Sequence, residues 1–260
     1  MARLTPAAAA LLCAAALRAS AQLPATPPID TDRPDFTDGT ATVTRGRVQL
    51  ETGYTFARGR DWQDLPRTHS FPEALLRIGI ARHAEIRVGQ NFLDSEADGA
   101  GATGRRGRDD LSLGTKLGLA EQHGTRPALS VEASTTLPTG SDALSAHRAL
   151  PGAALLLGWE TSGPWSAGME FAGTRRAGDY LQLAASLSLQ YTLTRHAQVY
   201  GEWFTFQPVG TQRDASAEHY ANSGVLVLLS NNVQVDARVG VGLNPGADKY
   251  FLGAGFAIRR

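Results

Sequence analysis

The sequence predicts an all-β protein, an antiparallel transmembrane β-barrel of about 12 strands with long outer loops and short periplasmic turns. Three observations predict this fold: apolar and polar residues alternate along most of the chain, the alternating segments are long, and long connections alternate with short ones. The segments run for roughly 8 to 12 residues, whereas soluble strands average about 5–6. A tilted strand that crosses the hydrocarbon layer needs about 9–11 residues, so a membrane barrel fits better than a soluble sandwich.

The start of the chain is typical of a secretory signal peptide. Arg3 precedes an apolar run over residues 7–17, and Ala19-Ser20-Ala21 supplies the small residues that signal peptidase accepts. The run is too short to span a bilayer as a helix, which needs about 20 residues. We expect cleavage after Ala21, which removes Cys13, the only cysteine.

Composition excludes several function classes. The chain has 25 Lys+Arg and 25 Asp+Glu, hence zero net charge, whereas a nucleic-acid binder needs a basic face. A hydrophobic content of 42% is too low for a bundle of membrane helices. Without Cys13, the chain has no cysteine nucleophile and no thiolate metal site.

The strand prediction is clearest over residues 233–243, where apolar side chains occupy one face and none occupies the other. Such a period of two indicates a strand and not a helix. The predicted strands are 48–56, 73–80, 85–92, 110–119, 128–137, 153–160, 165–171, 180–191, 197–206, 220–229, 233–243 and 250–258.

Connection lengths predict the orientation of the barrel. The long connections are 58–70, 93–108, 138–150 and 208–219, and short ones include 81–84, 120–126, 161–164 and 230–232. Outer-membrane barrels place long loops outside and short turns in the periplasm, so both termini are predicted to be periplasmic. Aromatic residues on the apolar face then form two interfacial belts, Trp159, Trp165 and Tyr191 at the periplasmic end and Tyr54, Phe56, Phe92, Phe171, Trp203 and Tyr250 at the outer end.

Thirteen inward-facing positions of the predicted barrel carry charge, nine of them acidic and four basic. They are Glu51, Glu73, Arg77, Glu85, Arg87, Asp110, Lys116, Glu132, Glu160, Glu170, Glu202, Asp236 and Arg238. Charges at these spacings suit ion pairs between neighbouring strands. Two interpretations stay open: a polar, mildly cation-preferring passage, or a structural network that fills a barrel of this size.

Aromatic side chains also face inward in this prediction, most of them near the outer mouth. They are Tyr180, Tyr200, Phe204, Phe206 and Phe251. A site that removes a small aromatic solute from water would use such rings, although the same rings could instead plug the mouth. The facing of Tyr220 is not fixed, because the turn at 230–232 leaves the register of its strand open.

Residues 22–46 are rich in Pro, Thr and Asp and have no strand period. Three placements are open: a plug in the lumen, with Arg33 against inward carboxylates and Asp32 and Asp35 against the bases; a loose periplasmic segment; or packing under the barrel rim. The acids lack the 12-residue pattern of a calcium loop, so no metal or cofactor is predicted.

Three stretches share features with a known family. They are Asp30-Thr31-Asp32-Arg33-Pro34-Asp35, residues 46–54 with the pattern G-x-x-Q-L-E-x-G, and the glycine-rich close from 233 to Phe256. Together they resemble the meta-pathway phenol-degradation family of outer-membrane transporters. The resemblance implies an outer-membrane barrel tied by name to uptake of small aromatic compounds. The chain departs from such barrels by ending on Arg260 instead of an aromatic residue, and Phe256 is the candidate substitute in assembly.

The predicted function is an outer-membrane channel or transporter for passive passage of small hydrophobic or aromatic solutes, without enzymatic activity. The alternatives are a structural or surface-interaction barrel with a blocked lumen and, third, an outer-membrane hydrolase that uses a loop histidine such as His69 or His219. No G-x-S-x-G motif occurs, and the G-x-G-x-x-G match at 99–104 lies in a predicted loop. The expected partners are outer-membrane lipid and lipopolysaccharide, a small-molecule solute and the barrel-assembly machinery, with no nucleic acid.

Overall fold

The computed structural model describes residues 27–59, 67–96, 104–210 and 216–260. The predicted signal peptide, 1–21, lies outside the described residues. The strands are β1 Val48–Arg58, β2 Arg67–Ala81, β3 Ala84–Glu96, β4 Arg105–Arg108, β5 Leu111–Ala120, β6 Ala128–Leu137, β7 Leu150–Glu160, β8 Trp165–Arg175, β9 Leu181–Thr194, β10 Ala197–Val209, β11 Glu218–Ser230, β12 Val233–Gly242 and β13 Tyr250–Arg259.

The strands form one closed antiparallel barrel. Each long strand pairs with its neighbours in the chain, and β1 pairs with β13 to close the ring. The short β4 pairs with the Phe92–Ser95 part of β3, and β5 pairs with its Ala84–Gly89 part. Because β4 and β5 follow one another along the same side of β3, they fill one position, and the barrel has the 12 predicted positions.

The predicted fold class is confirmed, and every predicted strand overlaps an observed one. The largest difference is in β2, which begins at Arg67, whereas the alternation predicted a start at residue 73. Ladder pairs such as Thr55 with Ser70 continue the strand through polar residues. Backbone pairing therefore extends beyond the apolar band that makes a strand visible in the sequence.

The two faces of the wall distribute apolar and charged side chains in the reverse of the way a soluble protein does. Large apolar residues such as Leu187 and Leu189 are exposed on the outside, whereas Glu51, Glu85 and Lys116 are fully buried inside. Alternation along each strand produces this arrangement, because successive side chains point to opposite faces. Among the described residues no helix is long and apolar enough to cross a bilayer.

Aromatic side chains lie near both ends of the outer face. The end with the short connections, here named the turn end, carries Trp165 packed edge-to-face on Tyr191, with ring centroids 4.7 Å apart. At the opposite end, the loop end, the Tyr54 hydroxyl lies 2.7 Å from His69 Nδ1, and Trp203 stacks on His219. Both histidines therefore belong to the outward aromatic layer.

A charged residue introduced on the outer face should destabilise the barrel by an amount that depends on its depth in the bilayer. Leu187→Arg at the middle of β9 should destabilise the barrel in lipid by about 2–4 kcal/mol, whereas Leu193→Arg, on the same face at the turn end, should cost about 0–1 kcal/mol. Guanidinium unfolding in phospholipid vesicles, followed by tryptophan fluorescence, measures both. Equal losses from the two variants would contradict this placement of the bilayer.

Candidate functional site

The described part of the N-terminal segment, residues 27–46, lies inside the barrel. It begins at the turn end, where the Ile29 amide donates to the Asn231 carbonyl, and Phe36 reaches the aromatic side chains near the loop end. The chain then returns, and the Gly46 amide donates to the Gly79 carbonyl at the turn end just before β1. Of the three placements left open by the sequence, the structure places this segment in the lumen.

The first group of lumen charges surrounds Asp32. Its carboxylate contacts Arg77 at 3.1 Å, Lys116 at 3.0 Å, and the Arg87 guanidinium. These bases project from β2, β5 and β3, so one carboxylate of the segment joins three strands of the wall. Burial by itself would raise the pKa of Asp32, but the three cations outweigh burial and hold this pKa below its usual range.

Wall carboxylates complete the neutralisation of the same bases. Arg77 contacts Glu51 at 2.9 Å and Glu85 at 2.8 Å, and all three side chains are almost completely buried. Glu132 lies 3.1 Å from both Arg87 and Lys116. The carboxylates of Asp32, Asp38 and Glu132 are close enough to hold a metal ion, but each already forms an ion pair with Lys116 or Arg87.

The second group of charges surrounds Arg33, on the β1–β2 and β12–β13 side of the lumen. Arg33 contacts Glu73 at 3.0 Å and Asp236 at 3.4 Å. Its guanidinium lies over Gly53 and Gly255, where a Cβ atom would come within 2.3 and 2.4 Å of it. The absence of side chains at these two wall positions makes room for the arginine.

The third group is acidic and sits on the β8–β10 side. Glu202 accepts hydrogen bonds from the amides of Phe36 and Thr37, and Glu170 accepts one from the amide of Asp38. Asp35 was predicted to meet bases, but the structure places it against Ser188 Oγ at 2.9 Å. Burial and the nearby Glu202 carboxylate raise the pKa of Asp35 well above its usual range.

Five rings form an aromatic cluster at the loop-end side of this segment. Phe36 stacks on Phe204 with centroids 4.9 Å apart, and Phe204 stacks on Tyr220 at 4.8 Å. Phe206 and Phe251 complete the cluster. The register of β11 places Tyr220 opposite Phe204, so the facing that the sequence left open is inward.

Four of the predicted lumen residues lie outside the three charge groups and the aromatic cluster. Asp110 lies between β4 and β5, where its carboxylate accepts from the amides of Gly140 and Ala146 and so holds the β6–β7 loop. Glu160 is exposed at the turn end. Tyr180 precedes β9 and lines a loop-end cavity, while Tyr200 is buried on the wall; in the described ranges, no ring contact joins either residue to the aromatic cluster.

Two cavities lie at opposite ends of the lumen. The loop-end cavity has a volume of about 1030 Å³ and is lined by residues that include Leu75, Gly89, Ser112, Thr136 and Tyr180. The turn-end cavity has a volume of about 630 Å³ and is lined by residues that include Thr40, His83, Gly118 and Ser130. The segment and its ion pairs lie between these two spaces.

Comparison with known proteins identifies the family of the chain. It matches the family described as "Putative MetA-pathway of phenol degradation" over residues 31–259. The chain belongs to this family. The family predicted from the segment around Asp32 and from the first strand is therefore confirmed, and no curated protein matches the chain.

Solved structures share the fold of this phenol-degradation family member. An outer-membrane channel from Pseudomonas putida F1 has a TM-score of 0.71 at 11% identity, over 85% of this chain and 98% of that one. The KdgM porin has a TM-score of 0.52 at 10% identity, over 81% and 98%. The translocator domain of NalP from Neisseria meningitidis has a TM-score of 0.50 at 13% identity, over 82% and 88%. At these identities the likeness is one of fold.

Three residues of the lumen site were not found from the sequence. Phe36 and Asp38 follow the Asp32-Arg33-Pro34-Asp35 motif directly, so their position in the chain was the available signal. Ser130 donates to the Thr40 carbonyl at 2.6 Å, a contact that requires knowledge of how the segment lies in the lumen.

Asp32 and Asp35 are expected to respond differently to the same isosteric change, with a loss of protection only at Asp32. Asp32→Asn removes one partner from a buried charged group, which costs about 3–5 kcal/mol. The amides of residues 36–39, which donate to carboxylates in the lumen, should then exchange on the order of a hundredfold faster in hydrogen-exchange mass spectrometry. Asp35→Asn is the matched control, because its partners Ser188 and Gln190 are neutral. Similar exchange in both variants would mean that the ion pairs do not hold the segment.

Proposed function

We propose that this family member is an outer-membrane channel for passive passage of small solutes, and that these solutes are hydrophobic or aromatic. The observation that carries the proposal is the inward aromatic cluster, in which Phe204 contacts the other four rings and Phe36 is the ring that the segment contributes. Ions gain little from stacked rings, whereas an apolar aromatic surface binds a small ring by removing it from water.

Phe36 occupies the place that a solute ring would take. It packs face-on against Phe204 and edge-on against Phe206, at 4.9 and 5.1 Å between centroids. Phe36 belongs to the segment and the other four rings belong to the wall. We infer that a solute competes with Phe36 for the wall rings, in the same geometry.

Several observations support a channel. The barrel is closed, and cavities open at both ends of its lumen. One compared structure, with a TM-score of 0.71, is an outer-membrane channel, and another is a porin. The partners that follow from this proposal are outer-membrane lipid and lipopolysaccharide, the solute, and the barrel-assembly machinery, to which β13 would present the outward Phe256.

A hydrolase receives less support from the same geometry. His69 and His219, the histidines that such an enzyme would use, pack against Tyr54 and Trp203 on the outer face. A structural barrel with a blocked lumen is favoured by the fully buried Arg77, Glu51, Glu85 and Lys116, and remains the second candidate.

Phenol binding tests the solute class. Isothermal titration of refolded protein in detergent should give tighter binding of phenol than of cyclohexanol, which has a similar size and no aromatic ring. Phe36→Ala removes the competing ring, so phenol should bind roughly tenfold more tightly, while Phe204→Leu removes a stacking partner and should weaken binding roughly threefold to tenfold.

The matched control is Phe256→Leu, which removes an outward ring with 44% exposure and should leave phenol affinity unchanged. Phenol and cyclohexanol binding equally well, with no opposite shifts from the two lumen variants, would overturn the aromatic assignment while leaving the channel untouched.

Single-channel recording in planar bilayers tests the channel itself. The mature chain should give discrete current steps, and a form that lacks residues 22–45 should give larger ones, because the deletion removes the segment from the lumen. A folded, inserted barrel that stays silent in both forms would contradict the channel and favour the structural alternative.

A further inference from the structure

The two cavities of the lumen lie against the same part of the wall. On β5, Ser112 lines the loop-end cavity and Gly118 the turn-end cavity; on β6, Thr136 and Ser130 do the same. Each pair lies on one strand and faces the lumen, so the cavities are stacked along β5 and β6.

Residues 38–40 of the segment separate these spaces. Arg87 and Lys116 lie at the level between the cavities, and they contact the Asp38 carboxylate at 2.9 Å and the Gly39 carbonyl at 2.7 Å. Thr40 lines the turn-end cavity and is fixed to the wall by Ser130 Oγ. The layer between the cavities therefore contains this stretch of chain together with the wall side chains of Arg87 and Lys116.

The same stretch of chain also carries Phe36. Residues 36–40 cross the lumen from the aromatic cluster on β10 and β11 to the wall of β5 and β6. A solute that takes the place of Phe36 displaces a residue only two positions before Asp38, so binding at the cluster acts directly on the barrier.

We propose that solute crosses the barrel along β5 and β6, and that residues 38–40 are the barrier that it must displace. The proposal rests on the proposed channel function and adds to it the route and the moving part. The barrier is held by the Asp38–Arg87 ion pair and by hydrogen bonds of its backbone, whereas the Asp32 carboxylate contacts three bases and anchors the segment before the barrier. We expect residues 38–40 to leave the wall while Asp32 keeps the segment in the lumen.

A reversible disulfide tests this route in the full mature chain, which has no cysteine of its own once Cys13 is removed. A Cβ at Gly158 would lie 3.7 Å from the Thr40 Cβ, within the roughly 3.5–4.5 Å range of disulfides. In the Thr40→Cys/Gly158→Cys variant, oxidation should lower the time-averaged single-channel current at least tenfold, and dithiothreitol should restore it.

The control is His83→Cys/Gly118→Cys, whose Cβ atoms would be 3.3 Å apart, just below that range, so thiol titration must first show that its disulfide has formed. Both residues line the same turn-end cavity but belong to the wall, so this disulfide adds similar bulk without tethering the segment. Its oxidation should leave the current unchanged. Full current through the oxidised Thr40–Gly158 variant, or equal loss in the control, would overturn the proposed route.

If the wild-type channel rarely opens, an effect of the disulfide on its current is hard to measure. A variant with a weakened barrier solves this problem. Ser130→Ala removes the hydrogen bond to the Thr40 carbonyl and should raise the fraction of time open about fivefold. The Thr40–Gly158 disulfide should close this variant as well. If the current of the wild-type or the Ser130→Ala protein is not lowered by the oxidised Thr40–Gly158 disulfide, the proposed route is wrong but the channel function stands. If every variant inserts as a barrel and none carries current, the channel function itself is wrong.

Discussion

The contact of one carboxylate, Asp32, with Arg77, Arg87 and Lys116 is the interaction on which the lumen depends. Three cations on adjacent strands repel one another by amounts that reach about 4 kcal/mol for a pair 4 Å apart at an effective dielectric of 20. Glu51, Glu85 and Glu132 offset that repulsion from the wall, and Asp32 joins all three bases from the segment. The buried bases are tolerated because each lies within ion-pair distance of carboxylates from both the wall and the segment.

The rest of the segment follows from that anchor, with different chemistry on each side of the lumen. Arg33 pairs with wall acids across the β1–β13 seam, Phe36 packs among rings, and residues 37–40 are held by hydrogen bonds and by the Asp38–Arg87 ion pair. At Thr40 the wall contact is the hydrogen bond from Ser130 Oγ, whereas the Asp32 carboxylate contacts three bases. The attachment is therefore weaker at Thr40 than at Asp32, which suits a channel that must keep its occluding segment and still let solute pass.

The sequence was informative wherever a side chain's direction follows from local alternation. The period of two predicted the barrel, the inward Glu51 and Arg77, and the outward aromatic layers, because each residue's face is fixed by its neighbours. Asp110 and Tyr180 were predicted to lie within strands but sit where a strand breaks or has not yet begun, so alternation assigns them no face. The position of the segment could not be deduced, since its partners are fixed only when the barrel closes. The direction of Tyr220 depends on the register of β11. The sequence does not reveal this register, because the pairing of β11 with β12 shifts next to their connecting turn.

The long separations in the contacts of the segment impose an order on assembly. Arg33 meets Asp236 across 203 positions, and Arg259 donates to the carbonyl of Pro27 across 232. The stretch that precedes every strand can therefore settle only after the last two strands have joined the first. The segment is therefore synthesised before the strands but folds after them. Its docking in the lumen requires a closed ring of strands. A barrel arrested with an open seam would lack the docked segment. Residues 27–46 would then be exposed in unfinished barrels and buried in finished ones.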